Sequence, residues 1–243
     1  MTSSNSDSRS VAGMIFSLGM VIGPAFPLLD QYRLLLSKRP TRVHSQLTHE
    51  DGEIGFSIDS CGLLLMASLF RIFFWFGKRF DITLLWQSIV MIILQLLLLE
   101  RCVYLQRPRA RAGAPSIISQ FWRWPRFSFY VNFLITSCLS LIIFYLVFGS
   151  TYFAVELLGF ISTSLEASVP IPQALTNYTR KSTEGLSIIL VVSNLLGDAG
   201  KTIYYFTNNS PLQFLVSGLF QVSVDAWIVY QVLLYSKPKI LKA

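Results

Sequence analysis

The residues of this sequence that could do chemistry are ionisable side chains placed inside long apolar segments. Two basic residues, Arg71 and Lys201, and two acidic residues, Asp198 and Asp225, lie in such segments. A charged side chain in the hydrocarbon core of a membrane costs ~2.5–3.5 kcal/mol on insertion scales, so it usually faces protein or water. Such residues are typical of a route for ions, solutes or lipid headgroups.

Polar side chains follow one face of each segment that holds a buried cation. In the later segment this face contains Asn194, Asp198 and Lys201, whose spacing fits the period of a helix. Ser68 and Arg71 take equivalent places in the earlier segment. The segment after each of these two adds one polar residue, Gln95 in the first case and Asp225 in the second. The predicted pathway for a solute or lipid headgroup therefore consists of Ser68, Arg71, Gln95, Asn194, Asp198, Lys201 and Asp225.

Asp198 and Lys201 are three residues apart, so the two side chains can pair on their own helix. Such a pair could be static and lock the helical bundle. Alternatively, Lys201 and Arg71 could contact a phosphate or carboxylate in the pathway, since a guanidinium can hold an anion through two hydrogen bonds. The sequence leaves both interpretations open.

The composition is that of an integral membrane protein. Of the 243 residues 53% are hydrophobic and only 14% are charged, whereas soluble domains carry about 25% charged residues. The apolar runs are continuous and about 20 residues long, enough to cross a bilayer. Because backbone groups in lipid must satisfy one another, we predict an all-α fold with seven transmembrane helices.

The predicted spans follow the apolar runs along the whole chain. They are Val11–Leu36, Ile54–Gly77, Ile82–Tyr104, Phe127–Gly149, Tyr152–Tyr178, Gly185–Phe206 and Leu212–Tyr235. With a lumenal N-terminus, 15 of the 20 Lys and Arg residues fall in cytosolic segments and 3 in lumenal ones. This bias agrees with the positive-inside rule and predicts a cytosolic C-terminus.

The second and third spans recur as the sixth and seventh at a fixed offset of 130 residues, which aligns Arg71 with Lys201. We therefore expect two parallel three-helix repeats joined by a linker helix, a plan known among transporters. The expected layout is a lumenal tail (1–10), a first repeat (11–105), a basic cytosolic loop (106–126), the linker helix (127–149), a second repeat (152–235) and a cytosolic tail (236–243).

Other classes of function lack their signatures. The net charge of +7 is attributed to topology, and no basic face on a soluble module indicates nucleic-acid binding. The three cysteines are scattered, and His44 and His49 belong to a polar loop, so we expect neither a disulfide framework nor a metal site. No phosphate-binding glycine motif is present. We expect no enzyme and no cofactor.

A Pro-Gln pair near the end of the fifth span begins a recognisable motif. Ser168-Val169-Pro170-Ile171-Pro172-Gln173 is followed by a basic loop and by Gly185-Leu186-Ser187. Together with the block Arg71-Ile72-Phe73-Phe74-Trp75-Phe76-Gly77, this resembles the PQ-loop repeat family, and within it the branch of PQ-loop repeat-containing protein 1 and its fungal relatives. The resemblance implies a SWEET-like fold in Golgi and endosomal membranes. It also implies phospholipid partners and antagonism with P4-ATPase lipid flippases.

The prolines of the two motifs predict hinges. Proline removes a backbone donor and clashes with the preceding turn, so the fifth span should kink. The predicted hinge residues are Pro27, Gln31, Glu166, Pro170, Pro172 and Gln173. The first motif departs from the family pattern, since Asp30 stands where its second proline is usual. A fixed kink for packing is the alternative to a moving hinge.

The leading hypothesis is an ATP-independent phospholipid scramblase or a regulator of transbilayer phospholipid asymmetry. The alternative is a proton-coupled exporter of a small solute, such as an amino acid, with Asp198 or Asp225 as the protonatable group. A receptor or scaffold without transport is a third class. The oligomeric state is left open by the sequence.

Overall fold

The structure is a computed structural model, and it describes residues 17–37, 58–105, 122, 124, 126–183 and 188–235. The expected tails at 1–10 and 236–243, most of the expected loop 106–126, and Gly185-Leu186-Ser187 lie outside these residues. All regular elements of the described residues are helices, so the predicted all-α fold is confirmed.

Helical residues 17–22 and a turn at residues 23–24 precede the first long helix. The helices that follow are, in chain order, α1 (Ala25–Ser37), α2 (Ile58–Lys78), α3 (Ile82–Leu105), α4 (Phe127–Phe148), α5 (Tyr152–Ser168), α6 (Ile171–Arg180), α7 (Ile188–Thr207) and α8 (Leu212–Tyr235).

Five helical stretches of the described residues are long and apolar enough to cross a membrane. They are α3, α4, α8, residues 60–78 of α2, and the stretch Tyr152–Thr179 that α5 and α6 form together. The helix α1 has only 13 residues, and the apolar sequence of α7 is interrupted by Asn194, Asp198 and Lys201. For these two segments the crossing stays a prediction.

The predicted fifth span divides into two helices. The helix α5 ends at Ser168, and α6 begins after a turn with Pro170 as its N-cap residue and Pro172 in its first turn. Proline is tolerated there, because the first amides of a helix have no partner within it. A break replaces the predicted kink.

The chain forms two compact units, Met1–Leu158 and Gly159–Ala243, here called the first and second units. In the first unit α3 packs against α1 and α2, and α4 contacts α2 and α3. In the second unit α8 packs against α6 and α7. The helix α3 is therefore central in the first unit, and α8 is central in the second.

The helices of the two units recur at the predicted offset. The helix α3 starts at Ile82, and α8 starts at Leu212, 130 residues later. A donor side chain recurs as well. Arg101 of α3 donates to the carbonyls of Leu35 and Leu36 in α1; its counterpart in α8, Gln231, donates to the carbonyl of Ala174 in α6 at 3.0 Å.

The core of the first unit is built around Trp122. Its ring packs on Tyr130 and Trp124, and the hydroxyl of Tyr130 donates to the carbonyl of Trp122 at 2.7 Å. A Cβ atom on Gly62 of α2 would lie 2.4 Å from the Trp122 ring. The absence of a side chain at Gly62 therefore lets the indole pack directly against α2.

One cluster of buried residues in the second unit is aliphatic. Ala174, Val191, Ile228 and Val232 form a cluster where α6, α7 and α8 meet. The helices α7 and α8 approach closely at Gly218, since a Cβ atom there would lie 2.6 Å from the hydroxyl of Thr202. This close approach brings the polar faces of α7 and α8 together.

Candidate functional site

A buried ion-pair cluster lies where α5, α7 and α8 of the second unit meet. The Nζ atom of Lys201 is 3.0 Å from Oε1 of Glu166 and 3.0 Å from Oδ1 of Asp198. All three side chains are mostly buried, with exposed fractions between 10% and 19%. The ammonium group of Lys201 is thus already shared by two carboxylates from two helices.

Asp225 adds a third carboxylate to this region from α8. Its residue is 4% exposed, and it lies near enough to Asp198 and Lys201 for both charges to act on it. Its Oδ2 atom is buried and has no hydrogen-bond partner among the described residues. Gln221, 6% exposed, precedes Asp225 by one turn on the same buried face of α8.

The helices hold these residues in place through contacts on either side of the cluster. Ser217 of α8 donates its hydroxyl to the carbonyl of Thr163 in α5 at 3.1 Å. In α7, Thr202 donates to the carbonyl of Asp198 at 2.8 Å. These bonds satisfy polar groups that lipid could not satisfy.

The equivalent region of the first unit contains a cation and amides. Arg71 is 3% exposed, and Gln95 is completely buried. Neither the Nε2 nor the Oε1 atom of Gln95 has a hydrogen-bond partner among the described residues. Ser68, also buried, donates to the carbonyl of Leu64 at 2.8 Å. Where the second unit places a carboxylate, at Asp225, the first unit thus places an unpaired amide.

Not every residue of the predicted pathway joins these groups. Asn194 is exposed on α7. Glu166, predicted as a hinge residue, forms an ion pair with Lys201. The ion pair of Asp198 with Lys201 that the spacing allowed is present.

The second Pro-Gln motif is held by amide contacts. Gln173 donates its amide to Oδ1 of Asn177 at 2.7 Å, one turn later, and Asn177 is 2% exposed. In the first motif Pro27 is the third residue of α1 and Gln31 is half-buried within the same helix. The turn of that region lies earlier, at residues 23–24.

Sequence reasoning missed several buried amides. Gln87 is 1% exposed, and its Oε1 atom has no hydrogen-bond partner in the part of the chain that the structure describes. Gln221, Gln231 and Asn177 are also buried. A glutamine within a long apolar segment is itself a signal, because its amide needs partners that lipid does not provide. These amides were not predicted, because the prediction started from charged residues.

Parts of the chain are similar in sequence to known proteins. Residues 154–214, from α5 to the start of α8, match the PQ loop repeat family. The chain is 24% identical to Scramblase ANY1 of Saccharomyces cerevisiae (strain ATCC 204508 / S288c) over an alignment of 257 positions. That match covers 75% of this chain and spans 64% of the length of the yeast protein.

A solved structure of a eukaryotic SWEET transporter has a similar fold. The TM-score is 0.55 at 14% sequence identity, and the match covers 94% of this chain and 95% of the transporter. At that identity the likeness concerns the fold alone, and it confirms the predicted SWEET-like architecture. Together with the repeat match and the yeast relative, it bears out the resemblance seen in the sequence: residues 154–214 match the PQ loop repeat, and a fungal scramblase is among the proteins to which the chain is similar.

Proposed function

We propose that the protein is an ATP-independent phospholipid scramblase, or a close regulator of phospholipid asymmetry, in Golgi and endosomal membranes. One observation carries the proposal. Each unit places a buried cation and a buried polar residue at matching positions, Arg71 with Gln95 and Lys201 with Asp225. Burying such groups in apolar helices is unfavourable unless they serve a polar partner or a polar passenger.

Lipid headgroups would move along these polar faces while their acyl chains stay in the bilayer. Arg71 is the proposed contact for the lipid phosphate, since a guanidinium binds phosphate through two parallel hydrogen bonds. The ammonium group of Lys201 contacts Glu166 and Asp198. Its proposed role is to organise the carboxylates of the second unit.

The test is lipid movement in liposomes that contain the purified protein and no nucleotide. Fluorescent lipid in the outer leaflet is bleached chemically, and a scramblase exposes the inner-leaflet lipid to the bleach as well. We expect nearly complete bleaching with the protein and half bleaching without it. Half bleaching in both samples would contradict the proposal.

Arg71→Leu gives a sharper form of this test. Loss of the phosphate contact should slow lipid movement about tenfold, the size of one charge-assisted hydrogen bond. Arg33→Gln is the matched control, because it removes one positive charge from an exposed position of α1. Equal rates in the wild type and both variants would exclude Arg71 from the pathway. In cells, the proposal predicts that added protein opposes P4-ATPase lipid flippases.

A second candidate is a proton-coupled exporter of a small solute such as an amino acid. The observation in its favour is the buried Asp225, whose Oδ2 atom has no hydrogen-bond partner among the described residues and could accept a proton. An exporter should carry its solute into or out of liposomes only under a pH gradient. Lipid movement without a gradient favours the scramblase.

A further inference from the structure

An exposed arginine follows the last residue of α2. Arg79 comes directly after Lys78, and its amide donates to the carbonyl of Trp75 at 2.8 Å. The Cζ atom of its guanidinium lies 4.6 Å from the centre of the Trp75 ring and 5.5 Å from the centre of the Phe76 ring. Trp75 is itself held, because its indole N–H donates to the carbonyl of Phe80 at 2.8 Å. The guanidinium is thus placed by aromatic rings while the residue stays exposed.

The backbone of Arg79 adopts a conformation that suits other amino acids better. Its φ angle is 48°, in the left-handed region that glycine and asparagine enter at the lowest cost. The matching position of the second unit is Asn209, with a φ angle of 49°. Each of these two residues lies three positions before the next helix, α3 or α8. Because the backbone does not favour arginine here, the reason for arginine lies in its side chain.

The neighbouring charged groups have other partners. Lys78 forms an ion pair with Glu156. Asp81 accepts a hydrogen bond from the amide of Thr83 at 2.9 Å, at the start of α3. Among the described residues no carboxylate forms an ion pair with Arg79. Its N–H groups can therefore bind an anion from outside the protein.

The turn that contains Arg79 is expected at a membrane surface. Residues 60–78 and α3, on either side of the turn, are each long and apolar enough to cross a membrane. In the orientation predicted from the sequence this surface is the lumenal one. Phe76, Ile82 and Trp86 are exposed around the turn, and aromatic rings at a membrane surface lie at the level of the lipid headgroups. The anion present at that level is the phosphate of a phospholipid.

We propose that Arg79 binds the phosphate of a phospholipid in the lumenal leaflet. A guanidinium can hold a phosphate through two parallel hydrogen bonds. Arg71, Trp75 and Arg79 are spaced by four residues along one face of α2, which places Arg71 about 12 Å deeper in the membrane. The inference rests on the proposed scramblase function, because it makes Arg79 the place where a lipid is held before its headgroup reaches Arg71. With Asn209 at the matching position, the site belongs to the first unit alone.

Lipid binding to the full-length protein in a maltoside detergent tests the site. Acyl-labelled phosphatidylcholine should bind Arg79→Asn about tenfold more weakly than the wild type, the size of one charge-assisted hydrogen bond. Asparagine suits the left-handed backbone, so the melting temperature should not fall. Arg126→Gln is the control and should bind like the wild type, because it removes an exposed positive charge whose side chain makes no capping hydrogen bond at the start of α4.

Two further ligands separate phosphate binding from packing and lipid from free phosphate. Acyl-labelled diacylglycerol, which has no phosphate, should bind the wild type and Arg79→Asn equally. An equal loss of affinity for both lipids would assign Arg79 to the packing of the turn and overturn the inference, as would an unchanged affinity for phosphatidylcholine. Displacement of the labelled phosphatidylcholine by inorganic phosphate at the same concentration would overturn the assignment to a lipid.

Lipid movement in liposomes then tests the link to the proposed function. Arg79→Asn should slow the movement of phosphatidylcholine, and Arg126→Gln should not. Unchanged movement in Arg79→Asn would remove Arg79 from the route and leave the scramblase function intact. A wild-type protein that binds phosphatidylcholine through Arg79 and moves no lipid would contradict the proposed function and leave the phosphate site in place.

Discussion

The two units share one helix plan and differ in the groups that surround their buried cation. In the second unit Lys201 is paired with carboxylates from α5 and α7, and a further carboxylate comes from α8. In the first unit the counterpart of Asp225 is the amide of Gln95, which has no partner within the described residues. The same arrangement of helices thus surrounds the buried cation with different groups in the two units. The two units therefore need not have the same role.

The largest expected effect concerns the cation of the second unit. Lys201→Met removes the buried ammonium group that Glu166 and Asp198 share, which should lower the free energy of unfolding by about 3–5 kcal/mol. Titration of the purified protein with a denaturing detergent measures this loss.

Lys78→Met is the control in the first unit. It breaks the pair of Lys78 with Glu156, whose side chains are 32% and 20% exposed. A pair exposed to that extent contributes ~1 kcal/mol or less. Equal losses in the two variants would show that the Lys201 cluster does not stabilise the second unit through its burial.

A smaller effect should distinguish a core glycine of the first unit from an exposed glycine of the second unit. Gly62→Ala forces a methyl group against Trp122, whose ring is held by Trp124 and Tyr130, and should cost about 1–3 kcal/mol. Gly197→Ala in α7 meets nothing within 4 Å and should cost nothing. Melting temperatures of the two variants give the comparison, and a stable Gly62→Ala would contradict the packing of Trp122 on α2.

The smallest change in stability is expected at Gln95. Gln95→Met replaces a buried amide that has no hydrogen-bond partner among the described residues by an apolar side chain of similar size. The free energy of unfolding should therefore change by less than ~1 kcal/mol. Lipid movement in liposomes should nevertheless slow, because the polar face of the first unit is interrupted.

Gln231→Met is the matched control for this difference between stability and lipid movement. Gln231 donates a hydrogen bond to the carbonyl of Ala174. Its loss should cost about 0.5–1.5 kcal/mol. If Gln95→Met instead destabilised the protein and left lipid movement unchanged, Gln95 would be a packing residue.

The sequence was sufficient to predict helices and the faces of helices. The starts of α3 and α8, at Ile82 and Leu212, match the starts of the predicted spans. These segments are apolar runs with clear ends, which the helical period describes well. The ion pair of Asp198 with Lys201 followed from their spacing on one helix.

The helical period of the sequence did not predict which helices contact one another. Glu166 is 35 residues from Lys201 in sequence, and periodicity indicates which face a residue occupies but not which helix covers that face. Trp122 shows the same limit, since its aromatic and basic neighbours are typical of a membrane interface while the ring lies in the core of the first unit. Both positions depend on packing, which a single helix does not encode.

The hydrogen bonds made by Arg101 and Gln231 affect how far the amino-acid sequences of the two units can diverge. Both donors reach main-chain oxygens, Leu35 and Leu36 in one case and Ala174 in the other. A main-chain oxygen is present whichever amino acid occupies the position, so the receiving helix can change its side chains without losing the bond. Point mutation on that helix should therefore be tolerated, whereas insertion or deletion of a single residue should rotate the acceptor out of reach.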